Sequence, residues 1–357
     1  MNIIFIASAN SIHSLRWIKF FAKKKEFNIN WISITKPNHE TLKEFRQIRD
    51  RVNLFILFEV KNFYAIFKLL SSNVTSILHI HYLGWHSLLA LLAAKNKKII
   101  LTPWGSDILI KKNLFILYWI KYLIKKSQYI ICDSLRIKSR ILELGAKEKK
   151  ISISMFGVDT NLYKKSRTIF SSKSITIGSN RKFEKIYDIN TFLEASKKLK
   201  SFSKSVKFLI AGDGSQKEEF VNYVKKNNLE SSVKFLGLLN KKEMINFYNS
   251  IDIYVSTSLS DGGLSSSIAE AMSFERIVLA TNNSDNNKWI NHGYNGYLFE
   301  NKNVDQLVKL ILENIKNSQK NKNVSQNARN IILDRYSFTK EMIKVEKIYR
   351  NLIKFGY

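Results

Sequence analysis

Residues 256–272 read STSLSDGGLSSSIAEAM and carry the residue types best suited to a phosphorylated ligand. Gly262 and Gly263 let the backbone pass close to a bound group. Ser265 and Ser266 stand where a helix is predicted to begin, and the first N–H groups of a helix favour an anion. Glu270 lies about one turn further on, where its carboxylate can accept hydrogen bonds from a sugar diol. A glycine loop, a helix start and one carboxylate suit a phosphorylated sugar. The same pattern also occurs as a plain turn ahead of a helix.

The elements that must position these residues follow from apolar patterning. The chain has 357 residues and is 45% hydrophobic, enough for two packed domains. Short β-rich runs at residues 3–7, 30–34, 54–58, 77–81, 98–102 and 129–134 alternate with helical runs such as 13–25 and 88–94. The pattern repeats after a Lys/Ser-rich stretch at 161–172, read as a hinge. Strands are predicted at 174–178, 206–211, 233–236, 253–256 and 277–280, with helices between and after them. Alternation of this kind implies parallel sheets covered on both faces. The fold class is α/β, two doubly wound domains with ligands expected at the carboxyl ends of the strands, in a cleft between domains.

Lys and Arg number 58 against 29 Asp and Glu, a formal net charge of +29. That excess favours anionic partners, although the chain is rich in Lys, Asn and Ile throughout. The cations are spread, without an arginine-rich tail or zinc-finger spacing, so nucleic acid is not an expected partner. The lone Cys132 excludes an intrachain disulfide and fits a reducing, cytoplasmic setting. The opening MNIIFIASAN reads as a first strand, not as a signal peptide, and no run is long and apolar enough for a spanning helix.

Three fragments follow one another in a recognisable order: FLIAGDGSQKEEF, VKFLGLLNKKEMINFYNSIDIYVSTS and IAEAMSFERIVLAT. With them the chain resembles the retaining glycosyltransferases of family 4. The resemblance implies a GT-B fold of two Rossmann-like domains facing across a cleft. It implies an acceptor-binding domain at 1–166, a nucleotide-sugar domain at 167–338 and a last helix, 339–357, crossing back to the first. The family's paired-glutamate signature places its second member on Glu270, which would hold the ribose hydroxyls. Its first position falls on Gly262, beside Asp261, so the donor sugar would meet Asp261 or the N–H groups of Gly263 and Leu264. Glu275 and Ile277 stand where the family often has Gly and Pro.

Within GSNRKFEKIYDINTFLEA, residues 178–195, the resemblance implies cations that neutralise the donor diphosphate, and Arg181, Lys182 and Lys185 are the candidates. Arginine can grip phosphate with two parallel donors, whereas lysine acts as a point charge. Tyr187–Asp188 occupies the family's usual Lys–Gly place. Gly212 and Gly214 are read as a tight turn near the nucleotide. Ser8, Asn10 and His13 lie where the cleft should open on the acceptor side, and Trp104 takes the place of a family histidine. His81 and Asp107 are further catalytic candidates, weighed against a strand-end histidine and a turn cap. With His79 and His81 expected on opposite faces of their strand and no cysteine cluster present, no metal and no cofactor are expected.

The implied reaction moves a sugar from a nucleotide diphosphate, UDP first, to a hydroxyl of a glycan or lipid-linked glycan in surface polysaccharide synthesis. The alternatives are a sugar-nucleotide 2-epimerase of the same fold and a binding-only relative. Residues 111–126, KKNLFILYWIKYLIKK, read as a basic, aromatic helix suited to peripheral contact with an anionic membrane at its cytoplasmic face.

Overall fold

The computed structural model describes residues 1–110, 113–154, 157–171, 174–202, 206–260, 265–283 and 286–355. The chain divides into two compact units, Met1–Phe156 with Thr339–Tyr357, and Gly157–Phe338.

In the first unit the order is β1 (Asn2–Ala7), α1 (Ile12–Ala22), β2 (Asn28–Ser33), α2 (His39–Phe45), β3 (Val52–Ile56) and α3 (Val60–Ser71). There follow β4 (Ser76–His81), a 3-10 helix (Trp85–Leu92), β5 (Lys97–Thr102), α4 (Leu114–Lys126), β6 (Tyr129–Cys132), α5 (Leu135–Glu143) and β7 (Ile151–Ile153). The strands form a parallel sheet in the order β3-β2-β1-β4-β5-β6-β7. β1 is apolar along almost its whole length, and β4 is buried throughout though Ser76, His79 and His81 are polar, because both faces of the sheet are covered.

In the second unit β8 (Ile175–Asn180), α6 (Ile189–Phe202), β9 (Val206–Ala211), α7 (Lys217–Lys226), β10 (Val233–Gly237) and α8 (Lys241–Ser250) come first. Then come β11 (Ile253–Ser256), α9 (Ser266–Ser273), β12 (Ile277–Thr281), β13 (Tyr297–Phe299), α10 (Val304–Lys316) and α11 (Ser318–Arg335). The strands run in parallel in the order β10-β9-β8-β11-β12-β13. The order reverses beside β8, and the crevice at such a switch point is the usual ligand site of an open parallel sheet.

The last helix, α12 (Phe338–Phe355), buries Met342, Val345, Tyr349 and Leu352, a helical stripe. Tyr349 stacks on Phe21 of α1 at 5.0 Å between ring centres, so α1 and α12 share one face of the first sheet.

Several sequence expectations are corrected. Residues 157–166 belong to the second unit rather than the first. Val158 exchanges backbone hydrogen bonds with Tyr336 and Phe338, and the Tyr163 carbonyl accepts from Ser273. The Lys/Ser-rich composition suggested a hinge, yet Arg167 donates to Asn249 and Ile251 carbonyls and pairs with the buried Asp252 at 2.9 Å. The helical run expected at 88–94 is the 3-10 helix Trp85–Leu92, which begins three residues earlier. α2, α3, α5, β7 and β13 have no counterpart among the predicted elements. β7 and β13 are only three residues each, too short to show a period. α3 escaped because its outward positions, Phe63, Tyr64 and Phe67, are apolar.

Candidate functional site

β8 ends at Asn180 and hands the chain directly to Arg181. α9 begins opposite, with Ser265 as its N-cap accepting from the Ile268 N–H. Nη1 of Arg181 donates to the Ser265 and Ser267 hydroxyls at 2.9 and 2.8 Å. The guanidinium carbon stands 4.5 Å from the Tyr187 ring centre, a cation–π contact. The turn 185–187 that supplies this ring is tied down in turn. Thr257 donates to the Tyr187 carbonyl and the Leu259 N–H to that of Ile186. Arg181 is therefore held at a helix start, where its charge and the N–H groups of α9 favour the same anion.

Glu270 lies one turn inside α9 and is half-buried. The Tyr248 hydroxyl lies 2.9 Å from Glu270 Oε2 and 3.2 Å from the Ser267 carbonyl, and it accepts from Asn180 Nδ2 at 2.9 Å. Burial, with the Glu270 charge behind it, pushes the Tyr248 phenol well above its ordinary range. It stays a proton donor and fixes the carboxylate.

The turn at 212–214 packs on the 181–184 loop. The Phe183 N–H donates to the Asp213 carbonyl at 3.0 Å. Gly212 has φ 145° and Gly214 φ 158°. A Cβ on Gly214 would stand 2.6 Å from the Phe183 carbonyl oxygen, and one on Gly212 would fall on that of Arg181. Both glycines thus set the path of the arginine loop.

Among the remaining predicted donor residues, Lys182, Lys185 and Ser266 are exposed. Asp261, Gly262, Gly263 and Leu264 lie outside the described residues. Asp188 has φ 46°, a conformation glycine adopts without strain, which fits its place opposite the family's glycine. Glu275 likewise has φ 55°, and its carboxylate pairs with Lys165. Asn180, Tyr187, Tyr248 and Ser267 were not assigned site roles from sequence. No spacing along the chain links Tyr187 to Arg181 or Tyr248 to Glu270 as contact partners.

In the first unit, Ser8 and Asn10 stitch the loop after β1 to the loop after β2. The Ser8 hydroxyl bonds that of Thr35 at 2.9 Å, and Asn10 Oδ1 accepts from the Asn38 N–H at 2.9 Å. His13 meets Trp104 edge-on at 5.5 Å, and Trp104 lies 5.5 Å from His81. His81 is buried, with Nδ1 bonded to the Ser14 hydroxyl at 2.9 Å and Nε2 without a hydrogen-bond partner among the described residues. Asp107 is also buried. Its carboxylate accepts from the backbone N–H groups of Leu83, Trp104 and Gly105, at 2.8, 3.0 and 2.9 Å, so it braces two loops. Burial raises its pKa despite those donors.

The expectation that His79 and His81 face opposite sides is corrected. Residues two apart on a strand share a face, and the two ring centres are 4.4 Å apart. They bond different partners, His79 reaching Tyr349 and Thr102. Among the described residues no group of three His, Cys, Asp or Glu is placed to hold a metal ion.

Burial holds all three histidines neutral: His79 well below its ordinary value, His81 at about 3 and His13 at about 4. The unfolded chain takes up protons below about pH 6.5 while the folded one does not. Stability is therefore full above that pH and falls as pH drops through the window between 6.5 and the folded values. Melting from pH 7 to pH 4.5 should show this, with a slope in His81→Gln smaller by about 1.4 kcal/mol per pH unit. An unchanged slope would remove His81 as a contributor.

Two parallel-sheet α/β units of this kind constitute the GT-B architecture. The model for glycosyl transferases group 1 matches residues 160–331, and that for glycosyl transferase 4-like proteins matches residues 2–134. The chain belongs to the group 1 glycosyltransferases. It is 29% identical to an uncharacterised glycosyltransferase of Methanocaldococcus jannaschii, over 87% of this chain and 83% of that one. It is 27% identical to the poly(ribitol-phosphate) alpha-N-acetylglucosaminyltransferase of Staphylococcus aureus, over 60% of this chain and 44% of that one. Among solved structures it is similar to Anabaena HepE in complex with UDP, with a TM-score of 0.76 and 16% identity, over 99% and 100% of the two chains. Among the described residues no helix is long and apolar enough to cross a membrane.

Proposed function

We propose that the chain is a retaining glycosyltransferase that moves a sugar from a UDP-sugar to a hydroxyl of a glycan or lipid-linked glycan. The reading rests on one observation above all, the seating of Arg181 against the start of α9, one turn ahead of Glu270. A diphosphate at Arg181 would place the ribose within reach of Glu270, with Tyr248 holding that carboxylate. The similarity to a UDP-bound structure supports UDP as the donor nucleotide. The S. aureus relative supports an acceptor from surface polysaccharide synthesis.

In the transfer, the bond from the anomeric carbon to the diphosphate breaks. The acceptor oxygen bonds the same face, and its proton passes to a diphosphate oxygen of the departing UDP. Arg181, aided by Lys182 and Lys185, stabilises the charge that develops on that leaving group. No metal is needed for this, and EDTA should leave activity unchanged; a strict metal requirement would overturn that part. Ser8, Asn10, His13 and Trp104 are assigned to the acceptor side. Asp107 and His81 act behind them as buried braces. Contact with an anionic membrane is assigned to residues 111–126, of which Lys111 and Lys112 lie outside the described residues.

Melting the protein with UDP, GDP, ADP or CMP, without metal, tests the donor. UDP at a hundred times its Kd should stabilise by about 2.7 kcal/mol. Glu270→Ala should lose that shift. Selective stabilisation by another nucleotide would replace UDP, and no shift with any would overturn the assignment. A product of inverted anomeric configuration would overturn retention.

A further inference from the structure

α3, the 3-10 helix and α4 are successive connections that cover the same face of the first sheet. Ile66 and Leu70 of α3, Ala90 of the 3-10 helix, and Ile120 and Leu123 of α4 enter one core with Leu78 and Ile80. Their outward sides are also apolar. On α3, Val60 is 83% and Tyr64 76% exposed, with Phe63 and Phe67 beside them. On the 3-10 helix Trp85, Leu88 and Leu91 are exposed, and on α4 Leu114, Phe115 and Tyr118. The three elements are joined at their surfaces. Phe58, just before α3, packs on Trp85 with ring centres 5.4 Å apart, and Trp119 of α4 donates to Ser87 at 3.0 Å. A helix covering a soluble domain ordinarily turns polar residues outward, and apolar patches of this extent mark contact surfaces.

The charges around this face are mostly positive. From Phe58 to Cys132 the carboxylates are Glu59, half-buried and paired with Lys61 at 3.3 Å, and Asp107, which is buried, while Lys61, Lys68, Lys95, Lys121 and Lys125 are exposed. We infer that α3, the 3-10 helix and α4 together form a docking face for an anionic lipid bilayer. This deepens the membrane contact proposed above, extending it to α3 and the 3-10 helix, and rests on that reading but not on the transfer chemistry. Aromatic and leucine side chains enter the acyl boundary, and the lysines keep their ammonium groups at the headgroups. A second copy fits poorly, because it would set lysines against lysines with only Glu59, already paired with Lys61, to meet them.

Flotation with phosphatidylcholine vesicles, with and without phosphatidylglycerol, tests the face. The protein should float with the anionic vesicles and bind neutral ones, or anionic ones at high salt, about tenfold more weakly. The pair Phe63→Ser and Phe67→Ser on α3 should weaken binding about tenfold, and so should Phe115→Ser with Tyr118→Ser on α4. Both variants should keep the wild-type melting temperature, since the altered side chains are exposed. Wild-type binding by the α3 variant would confine the contact to α4 and overturn the inference. So would a lack of vesicle binding, or a dimer that the α3 variant makes monomeric. UDP stabilisation, read separately, reports on the donor site whatever the vesicles show.

Discussion

Arg181→Ala is expected to lower kcat by about two to three orders of magnitude, the usual consequence of removing a donor that meets charge developing in a transition state. KM for the donor should change less, because the ribose contact proposed at Glu270 and the Tyr248 hydrogen bond behind it survive. The folded state should lose about 2 kcal/mol, since among the described residues the hydrogen bonds removed are two to serine hydroxyls and the ring contact is partly exposed. Arg181→Lys is the informative partner. It keeps a cation but loses the planar group that lies over Tyr187, so it should recover part of the lost kcat. Steady-state kinetics with both variants, beside their melting curves, separates charge from fold. Near wild-type turnover in the alanine variant would transfer the role to Lys182 and Lys185.

Gly212→Ala should produce the largest loss of stability. The residue has φ 145°, and a Cβ there would meet the Arg181 carbonyl and the Phe183 ring, the latter at 2.9 Å. Backbone strain and a clash with main-chain atoms that have no room to give add to about 3 kcal/mol or more. In a unit of this size that is a fall of about 6–12 °C in the melting of the second unit. Gly237 supplies the control. It also has a positive φ, 68°, but nothing lies within 4 Å of a Cβ built on it. Gly237→Ala should therefore show strain alone, about 1 kcal/mol. Equal losses in the two variants would mean that the 181–184 loop yields to the new methyl. Gly212→Ala should also lose nucleotide stabilisation, because the carbonyl it displaces belongs to Arg181.

Much of the architecture was legible in the amino-acid order. Buried parallel strands are near-continuous apolar runs, so β1, β9 and β12 stand out against the helices between them. The helix start at α9 was legible for a local reason. Serines that can cap, followed by Ile268 and Ala269, describe a helix beginning without reference to anything distant. Glu270 could therefore be placed on its first turns from composition and spacing alone.

The tertiary structure decided what joins distant segments. Arg181 finds its serine seat 84 residues away at Ser265, and Tyr248 reaches Glu270 across 22 residues. No period in a sequence encodes such a meeting; it follows from β8 lying beside β11 in the sheet. The tie of residues 157–166 to the second unit was hidden for a similar reason, because it runs largely through backbone groups that every residue type carries. Asp107 could be named as either a substrate ligand or a loop brace from its type. The three N–H groups that converge on it make it a loop brace, a convergence that no spacing in the sequence encodes. The outward aromatics of α3 made the same point in reverse. Their apolar character concealed the helix from pattern reading, and the fold then showed that they face away from the core. Sequence determined which segments form strands and helices, since that depends on neighbours along the chain. Topology decided which side chains share a site, since that depends on the order in which strands pair.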